Sequence, residues 1–423
     1  MGVTRPGFYL GVGIENCWMA EHDEPHRPPH RLLDVFLQMQ HYSLWKEDLQ
    51  LAADLGINAI RYSVPWYKAN PRPGEFDWGW IEGPLRALET KHIIPVIDLV
   101  HYGTPLWMEN GVLNHDFPQR VADYAAAWAR GFAGLVDHFT PFNEPQLSAW
   151  FCGCIAYWPP YLAGLDGLVK VGVNIARGLV LASQALRAEC RNATLISADT
   201  LVSATVEAAA GSLRTPFDLL SVEEKDSFAY LVRTFPACLV YGTVPEGCAF
   251  DRLLRDFGVP ADLLDGFRRS AQLPDIVGHN YYPMFLDEQP GGTLASCIDG
   301  GVDVLKRRLR RVAAAYGKPV YISETSAGTT PEEKIRWMEN LCGVVEDLGQ
   351  EGVTIAGINW WPLYETIQWD YRDNARTVME CIRPGGWNNG LFRIEERADG
   401  TLARIPTGAE AGFRHVMGRL LKR

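Results

Sequence analysis

The stretch His138-Phe139-Thr140-Pro141-Phe142-Asn143-Glu144-Pro145 places a carboxyl group directly after a short apolar run. A second stretch, Pro319-Val320-Tyr321-Ile322-Ser323-Glu324-Thr325, has the same pattern. A carboxyl group is costly to bury beside a core, so it is tolerated mainly where a sheet opens into a cleft. Glu144 and Glu324 are therefore candidates for a catalytic pair.

Further apolar runs occur along the chain, and helix-like segments separate most of them. Continuous rather than alternating hydrophobicity is typical of strands buried on both faces of a parallel sheet. The eight runs cover residues 8–14, 59–64, 93–99, 138–143, 195–200, 276–280, 320–323 and 355–361. Eight strand-helix repeats favour a closed barrel over an open doubly wound sheet. The predicted fold class is α/β, a single (β/α)8 TIM barrel with insertions.

No linker or shift in composition divides the chain, so residues 1–423 are predicted to form one catalytic domain. The segment 203–266 has the character of a helical insertion, and 291–301, rich in glycine, is predicted to be a loop over the barrel mouth. Thr330-Pro331-Glu332-Glu333 has the pattern of a capping box with proline at the first helical position, which predicts a helix start.

The composition excludes several classes of partner. A net charge of −11 would repel a polyanion, so nucleic acid is not expected to bind. No apolar stretch approaches the roughly 20 residues that span a membrane, and the first residues lack the apolar core of a signal peptide. Nine cysteines in such a chain predict reduced thiols and a cytoplasmic location. No metal site or organic cofactor is predicted.

Reactive groups of such barrels lie at the carboxyl ends of the strands. The polar and aromatic residues at the ends of the apolar runs are Arg61, His101, Asn143, Glu144, Asn280, Tyr282, Glu324 and Trp361. The fourth and seventh strands lie on opposite sides of an eight-stranded barrel, so Glu144 and Glu324 would face each other. Two carboxyl groups roughly 5 to 5.5 Å apart are the arrangement of a retaining glycosidase.

These motifs, in this order, resemble glycoside hydrolase family 1, the β-glucosidase-like enzymes. Residues 140–145 resemble the acid/base motif with Pro141 inserted, and 319–325 resemble the nucleophile motif with Ser323 and Thr325 substituted. Further matches are Arg61-Tyr62-Ser63, His101-Tyr102 with Pro105, and Asn280-Tyr281-Tyr282. The resemblance extends over nearly the whole chain.

The resemblance implies a retaining β-glycoside hydrolase that uses double displacement, with Glu144 as general acid/base and Glu324 as nucleophile. It also implies that Arg61 and Tyr282 keep Glu324 ionised. The implied substrate-binding residues are His101, Asn143, Asn280 and Trp361.

Two positions depart from the family pattern. Trp18 aligns where the family has a glutamine that binds two sugar hydroxyls, and Gln368 aligns where it has a glutamate that holds the far side of the sugar. A site that loses hydroxyl partners loses selectivity, so we expect a small or modified glycoside rather than a plain β-glucoside. Trp18, Glu15, Glu365 and Gln368 are the candidates for substitute contacts.

Other interpretations of the same residues are open. An isolated Asn-Glu-Pro is more often a helix start, and a histidine or a tryptophan pair at a strand end is more often core. The two carboxyl groups would also serve a transglycosidase, in which an acceptor hydroxyl replaces water. A sugar-binding barrel without catalysis is the non-enzymatic alternative. The sequence indicates no oligomeric state.

Overall fold

The computed structural model describes residues 6–21, 31–285, 294–367, 379 and 388–422. Eight strands form one parallel sheet, and we number them along the chain as β1 to β8. They are β1 Tyr9–Gly13, β2 Ala59–Tyr62, β3 Ile94–Asp98, β4 His138–Thr140, β5 Thr194–Leu195, β6 Val277–Asn280, β7 Val320–Thr325 and β8 Ile355–Trp360.

The sheet closes on itself. Its strand order is β5-β4-β3-β2-β1-β8-β7-β6, so β1 lies between β2 and β8. The two end strands meet through parallel bridges from Ile196 to Ile276 and from Asp199 to His279. The predicted (β/α)8 barrel is therefore confirmed, although β5 itself is only two residues long.

Hydrophobic residues fill both faces of the sheet, as the continuous apolar runs predicted. One buried cluster draws most of its members from the strands and fills the barrel interior; it consists of Tyr9, Ala59, Ile94, Val96, Ile196, Ile276, Tyr321 and Ala356. A second, larger cluster packs the opposite strand faces against the surrounding helices. Polar side chains that follow the strands are thereby held at one open end of the barrel.

Helices connect the strands on the outside of the barrel. Their bounds are Val35–Gln38, His41–Asp54, Trp66–Ala69, Glu82–Thr90, Phe117–Gly131, Pro145–Ala149, Gly164–Glu189, Val206–Gly211, Val222–Thr234, Ala237–Val240, Ala249–Asp256, Ala261–Arg269, Leu294–Tyr316, Pro331–Gln350 and Ala409–Val416, with a π-helical turn at Trp150–Cys154. Among the described residues, none of these helices has the length and apolarity needed to cross a bilayer.

Two small antiparallel sheets flank the barrel. Trp18–Glu21 pairs with Arg31–Asp34 after β1, and Phe392–Glu396 pairs with Leu402–Pro406 after β8. Arg404 on the last of these strands donates to both carboxylate oxygens of the buried Asp48. The strand Leu402–Pro406 is thus tied to the helix His41–Asp54, which precedes β2.

The local predictions had mixed outcomes. Thr330 and Glu333 form the predicted capping box, and the segment 203–266 is largely helical. The predicted loop at 291–301 is wrong from Leu294 onwards, where the helix Leu294–Tyr316 begins. At Gly301 a Cβ atom would lie 2.6 Å from Pro283, and the Gly301 carbonyl accepts the Tyr281 hydroxyl. Close packing, rather than a turn, therefore accounts for glycine at that position.

Candidate active site

Glu324 lies near the carboxyl end of β7 and is held from two sides. The Arg61 guanidinium at the end of β2 donates from Nη1 to Glu324 Oε1 at 2.5 Å, and the Tyr282 hydroxyl donates to Oε2 at 2.7 Å. Both carboxylate oxygens therefore accept a hydrogen bond, one of them from a cation. The residue is only 4% exposed, so this pairing is poorly screened by solvent.

Glu144 follows β4 and is held differently. The Tyr102 hydroxyl donates to Glu144 Oε2 at 2.5 Å, so its partner is a neutral donor. The backbone of Glu144 has φ 41°, in the left-handed region that a residue with a side chain rarely adopts. Such conformations cost about 1–3 kcal/mol and are concentrated at functional sites.

The segment that follows Glu144 is fixed to the residues that follow β5. Gln146 Nε2 donates to the buried Asp199 at 3.0 Å, and the Thr200 backbone N–H donates to Gln146 Oε1 at 3.2 Å. The Glu144 N–H donates to the Ala198 carbonyl at 2.8 Å. These bonds hold the strained residue in place, because they anchor the backbone on both sides of its side chain.

The surroundings of Glu144 and Glu324 favour different protonation states of the two carboxyl groups. Burial, followed by the charge of Glu324, raises the pKa of Glu144 to about 7, and the hydrogen bond from Tyr102 opposes the rise. Burial also raises the pKa of Glu324, but the charge and hydrogen bond of Arg61 oppose it. The contacts that Arg61 and Tyr282 were expected to make with Glu324 are present. Burial has the larger effect, however, so the pKa of Glu324 is raised overall. Between two coupled carboxyl groups, the one beside the cation carries the charge, so the shared proton belongs on Glu144.

Two asparagines are hydrogen-bonded to residues that surround the carboxyl pair. Asn143 Oδ1 accepts from Arg61 Nη2 at 2.9 Å and from Asn280 Nδ2 at 3.4 Å. Asn280 Oδ1 accepts the Ser323 hydroxyl at 2.6 Å. The Asn143 amide nitrogen lies 3.3 Å from His101 Nε2, and this contact is a hydrogen bond only when Nε2 carries no proton.

His101 lies between two carboxylates. Its Nδ1 is 2.8 Å from Asp98 Oδ2, and its Nε2 is 3.2 Å from Glu15 Oε1. Burial lowers the pKa of His101, but the charges of Glu15 and Asp98 reverse this and raise it to about 10. His101 is therefore an imidazolium at neutral pH, with both N–H groups directed at carboxylates.

Glu15 completes this side of the site. Its Oε1 also accepts the Cys17 backbone N–H at 2.8 Å, and its Oε2 accepts the Trp361 indole N–H at 3.0 Å. Burial raises the pKa of Glu15, but the charge of His101 and these hydrogen bonds have a larger, opposite effect. The pKa of Glu15 is therefore lowered overall. The rings of Trp361 and His101 are parallel, with centroids 5.4 Å apart. The Arg61 guanidinium lies 4.9 Å from the centre of the Trp361 ring.

The remaining candidates lie elsewhere. Trp18 is on the first flanking sheet, where its ring packs against Tyr67 and over Gly103. The side chain from this part of the chain that contacts His101 and Trp361 is Glu15, three positions before the aligned Trp18. Glu365 accepts the Ile394 backbone N–H at 3.1 Å, which directs its carboxylate to the second flanking sheet. Gln368 lies outside the described residues.

Sequence reasoning missed two members of the cluster. Asp98 is the last residue of β3, and its carboxylate accepts hydrogen bonds from Arg61 and His101. A carboxyl group closing an apolar run was the criterion that selected Glu144 and Glu324, so the same signal was present for Asp98. Tyr102 was noted only as a neighbour of His101, and its bond to Glu144 depends on a backbone φ of 75° that the sequence does not reveal.

Comparisons with known proteins identify relatives of this chain and of its fold. The model of glycosyl hydrolase family 1 matches residues 26–284. The chain is 31% identical to a bifunctional β-D-glucosidase/β-D-fucosidase of Bifidobacterium breve, over 81% of this chain and 82% of that protein. It is 24% identical to β-glucosidase A of Thermotoga maritima, over 83% and 87% respectively. Among solved structures, a family 1 β-glucosidase from Thermotoga maritima in complex with isofagomine lactam matches with a TM-score of 0.72 and 19% identity, over 97% of this chain and 98% of that one.

Proposed function

The chain belongs to glycosyl hydrolase family 1, and from this premise we propose that it cleaves a β-linked glycoside by double displacement, with Glu144 as general acid/base and Glu324 as nucleophile. The family makes it a β-glucosidase-like glycosidase. Which residues act, and on which sugar, is the proposal. No metal or organic cofactor takes part in it.

One observation carries the assignment of roles. Glu324 is paired with the Arg61 guanidinium, whereas Glu144 accepts a hydrogen bond from the neutral Tyr102 hydroxyl. The pKa of Glu144, raised to about 7 mainly by burial, keeps much of it protonated near neutral pH. A proton donor and an ionised nucleophile are the two states that the first step of a retaining glycosidase needs.

In the first step a carboxylate oxygen of Glu324 forms a bond to the anomeric carbon. The glycosidic C–O bond breaks, and its electron pair goes to the leaving oxygen, which takes the proton of Glu144. Once Glu324 is esterified its negative charge is lost. That charge contributes to the raised pKa of Glu144, so Glu144 becomes a stronger acid and is left as a carboxylate.

In the second step Glu144 acts as a base. It removes a proton from water while the water oxygen bonds to the anomeric carbon, and the ester bond to Glu324 breaks. The sugar leaves with its original anomeric configuration after two inversions. The same step with an acceptor hydroxyl gives transglycosylation, which remains the second candidate activity.

The glycone side of the site defines the substrate contacts. Asn143 contacts Arg61, and Asn280 contacts Asn143 and Ser323, so these two asparagines are the candidates for binding the hydroxyl next to the anomeric carbon. His101 directs both ring N–H groups at carboxylates, so Glu15 Oε2, with a free lone pair beside Trp361, is an acceptor for a donor group on the glycone. We therefore expect selection for a sugar hydroxyl that donates to Glu15. A modified sugar that lacks this hydroxyl is expected to be a poor substrate.

The test is turnover of a panel of aryl β-glycosides. Glu324→Gln is expected to abolish turnover, because the amide is a poor nucleophile of nearly the same shape. Glu144→Ala is expected to be slow but to recover with azide when the leaving group is activated, since the anion attacks without a general base. The recovered product should be a glycosyl azide of retained configuration. Equal activity of wild type and Glu324→Gln would remove the nucleophile assignment.

We also propose that the whole chain is one catalytic domain and that it resides in the cytoplasm. The flanking sheet at 392–406 packs on the barrel through the bond between Arg404 and Asp48, which supports a single unit. The eight cysteines among the described residues are free thiols. Free thiols fit a reducing compartment. The proposed substrate is a small-molecule glycoside.

A further inference from the structure

Asp98 is a buried carboxylate to which nothing above assigns a role in the reaction. It ends β3 and is 1% exposed. Its Oδ2 accepts from Arg61 Nη2 at 2.5 Å and from His101 Nδ1 at 2.8 Å. One oxygen atom therefore contacts both cations of the site.

The first consequence concerns Arg61. Its guanidinium is planar and presents its donors in a fixed fork. Nη1 donates to Glu324 and Nη2 to Asp98 and Asn143. Asp98 thus fixes the orientation of the guanidinium group, and so the direction from which Nη1 donates to Glu324.

The second consequence concerns His101. An imidazole flanked by one carboxylate would hold one proton firmly, whereas flanked by Asp98 and Glu15 it holds two. Charges of alternating sign then run from Glu15 through His101, Asp98 and Arg61 to Glu324. Asp98 is the central member, and it joins the glycone side of the site to the proposed nucleophile.

We propose that Asp98 is a positioning residue for the reaction, which orients Arg61 toward Glu324 and His101 toward Glu15 and divides the charge of Arg61 between two carboxylates. The proposal rests on the function proposed above. Asp98 does not touch the reacting atoms, so its effect is transmitted through Arg61 and His101.

A change at Asp98 acts on a crowded set of ionisable groups. Those that face it or its two partners come from four other strands and their loops and from one helix; they are Glu15, Arg61, Glu144, Tyr321 and Glu324, with Tyr124 from the helix Phe117–Gly131 and His101 from the loop after its own strand. At acidic pH His101 stays protonated in wild type and variant alike. The change that matters there is the loss of one negative charge beside Arg61.

Asp98→Asn is expected to lower the pKa of Glu324. In Asp98→Asn the side chain keeps its shape and an acceptor oxygen, but Arg61 has Glu324 as its remaining carboxylate partner. The ionised form of Glu324 is then favoured more strongly, so its pKa falls. Because turnover requires ionised Glu324, the acidic limb of kcat/KM moves to lower pH. We expect a shift of about 1 pH unit, since the lost charge of Asp98 is separated from Glu324 by Arg61. Loosening of Arg61 and His101 lowers kcat/KM at the optimum by about 100-fold.

The experiment compares pH profiles of kcat and kcat/KM for wild type and Asp98→Asn with an aryl β-glycoside. The matched control is Asp251→Asn, which neutralises a buried carboxylate that is also paired with two arginines, Arg255 and Arg268, on remote helices. Asp251→Asn is expected to lower stability and leave both limbs unchanged. A folded Asp98→Asn protein with the acidic limb and kcat/KM of wild type overturns the proposal.

A second measurement needs no variant at Asp98. The His101 ring of the wild-type protein, observed by nuclear magnetic resonance, is expected to remain doubly protonated at pH 8; a neutral ring at pH 7 overturns the proposal. Failure here is distinct from failure of the proposed function. If Glu324→Gln is inactive and Asp98→Asn behaves as wild type, only the role of Asp98 is wrong. If Glu324→Gln is fully active, the proposed function itself is wrong.

Discussion

Replacing Tyr102 with phenylalanine removes one atom from the proposed acid/base centre. The Tyr102 hydroxyl donates to Glu144 Oε2 at 2.5 Å, and burial raises the pKa of Tyr102 itself well above its usual range. The group lost is therefore a neutral donor, not a phenolate. A donor stabilises the carboxylate form of Glu144 more than the acid form, so its removal raises the pKa of Glu144.

The magnitude follows from the bond. A hydrogen bond to a charged group contributes roughly 1.5–3 kcal/mol, and one pKa unit corresponds to about 1.4 kcal/mol. The acid form of Glu144 keeps part of that interaction, so the smaller end of the range applies. From a starting pKa of about 7, the pKa of Glu144 in Tyr102→Phe is expected to rise by about 1 unit. Glu144 then stays protonated to higher pH, and the basic limb of the profile moves upward.

The assay is kcat/KM against pH with an aryl β-glycoside whose leaving group needs protonation. Tyr282→Phe is the matched control, because it removes a hydroxyl that donates to Glu324 at 2.7 Å. In that variant the acidic limb is expected to rise, since the carboxylate form of Glu324 loses its donor. A Tyr102→Phe protein whose basic limb stays in place, or whose acidic limb alone moves, would refute the assignment of the proton to Glu144.

Three further predictions concern stability. Gly103→Ala would place a Cβ atom 2.2 Å from the ring of Trp18, and we expect this overpacking to cost about 1–3 kcal/mol, seen as a lower Tm in calorimetry. Thr330→Ala removes the capping box of the helix Pro331–Gln350 and should cost about 1 kcal/mol in urea unfolding, whereas Thr330→Ser should cost little. Arg404→Met leaves the buried Asp48 without its guanidinium and should cost about 3–5 kcal/mol; an unchanged free energy of unfolding would contradict the importance of that ion pair.

The barrel was predictable because its signal is local and repeated. The run 320–323 is buried at every position, and a continuous apolar run is typical of a strand that is buried on both faces. The loop expected at 291–301 failed for the opposite reason. Glycine has two roles, turns and close packing, and which one applies at Gly301 depends on the approach of Pro283 from another segment.

The structure brings together several residues that their sequence position selected, but sequence position did not predict their contacts. Position after an apolar run selected Arg61, Glu144 and Glu324, and the contact of Arg61 with Glu324 is present. Position alone does not say that Arg61 also pairs with Asp98, because that contact depends on the distance between two strands of the closed barrel. The alignment at the first strand pointed to Trp18, whereas the side chain beside His101 is Glu15, since the chain leaves β1 with Glu15 turned inward.

The alternation of charge explains how so many ions are tolerated in one buried cluster. Each ion removed from water costs several kcal/mol, and replacing a buried ion pair with apolar side chains is often neutral or stabilising. Stability therefore gives little reason to keep Glu15, His101, Asp98, Arg61 and Glu324 together, each at most 4% exposed. What the arrangement provides is a nucleophile whose charge and direction are fixed before a substrate arrives. A preorganised site of this kind needs little rearrangement during the reaction, and the cluster is better explained by chemistry than by folding.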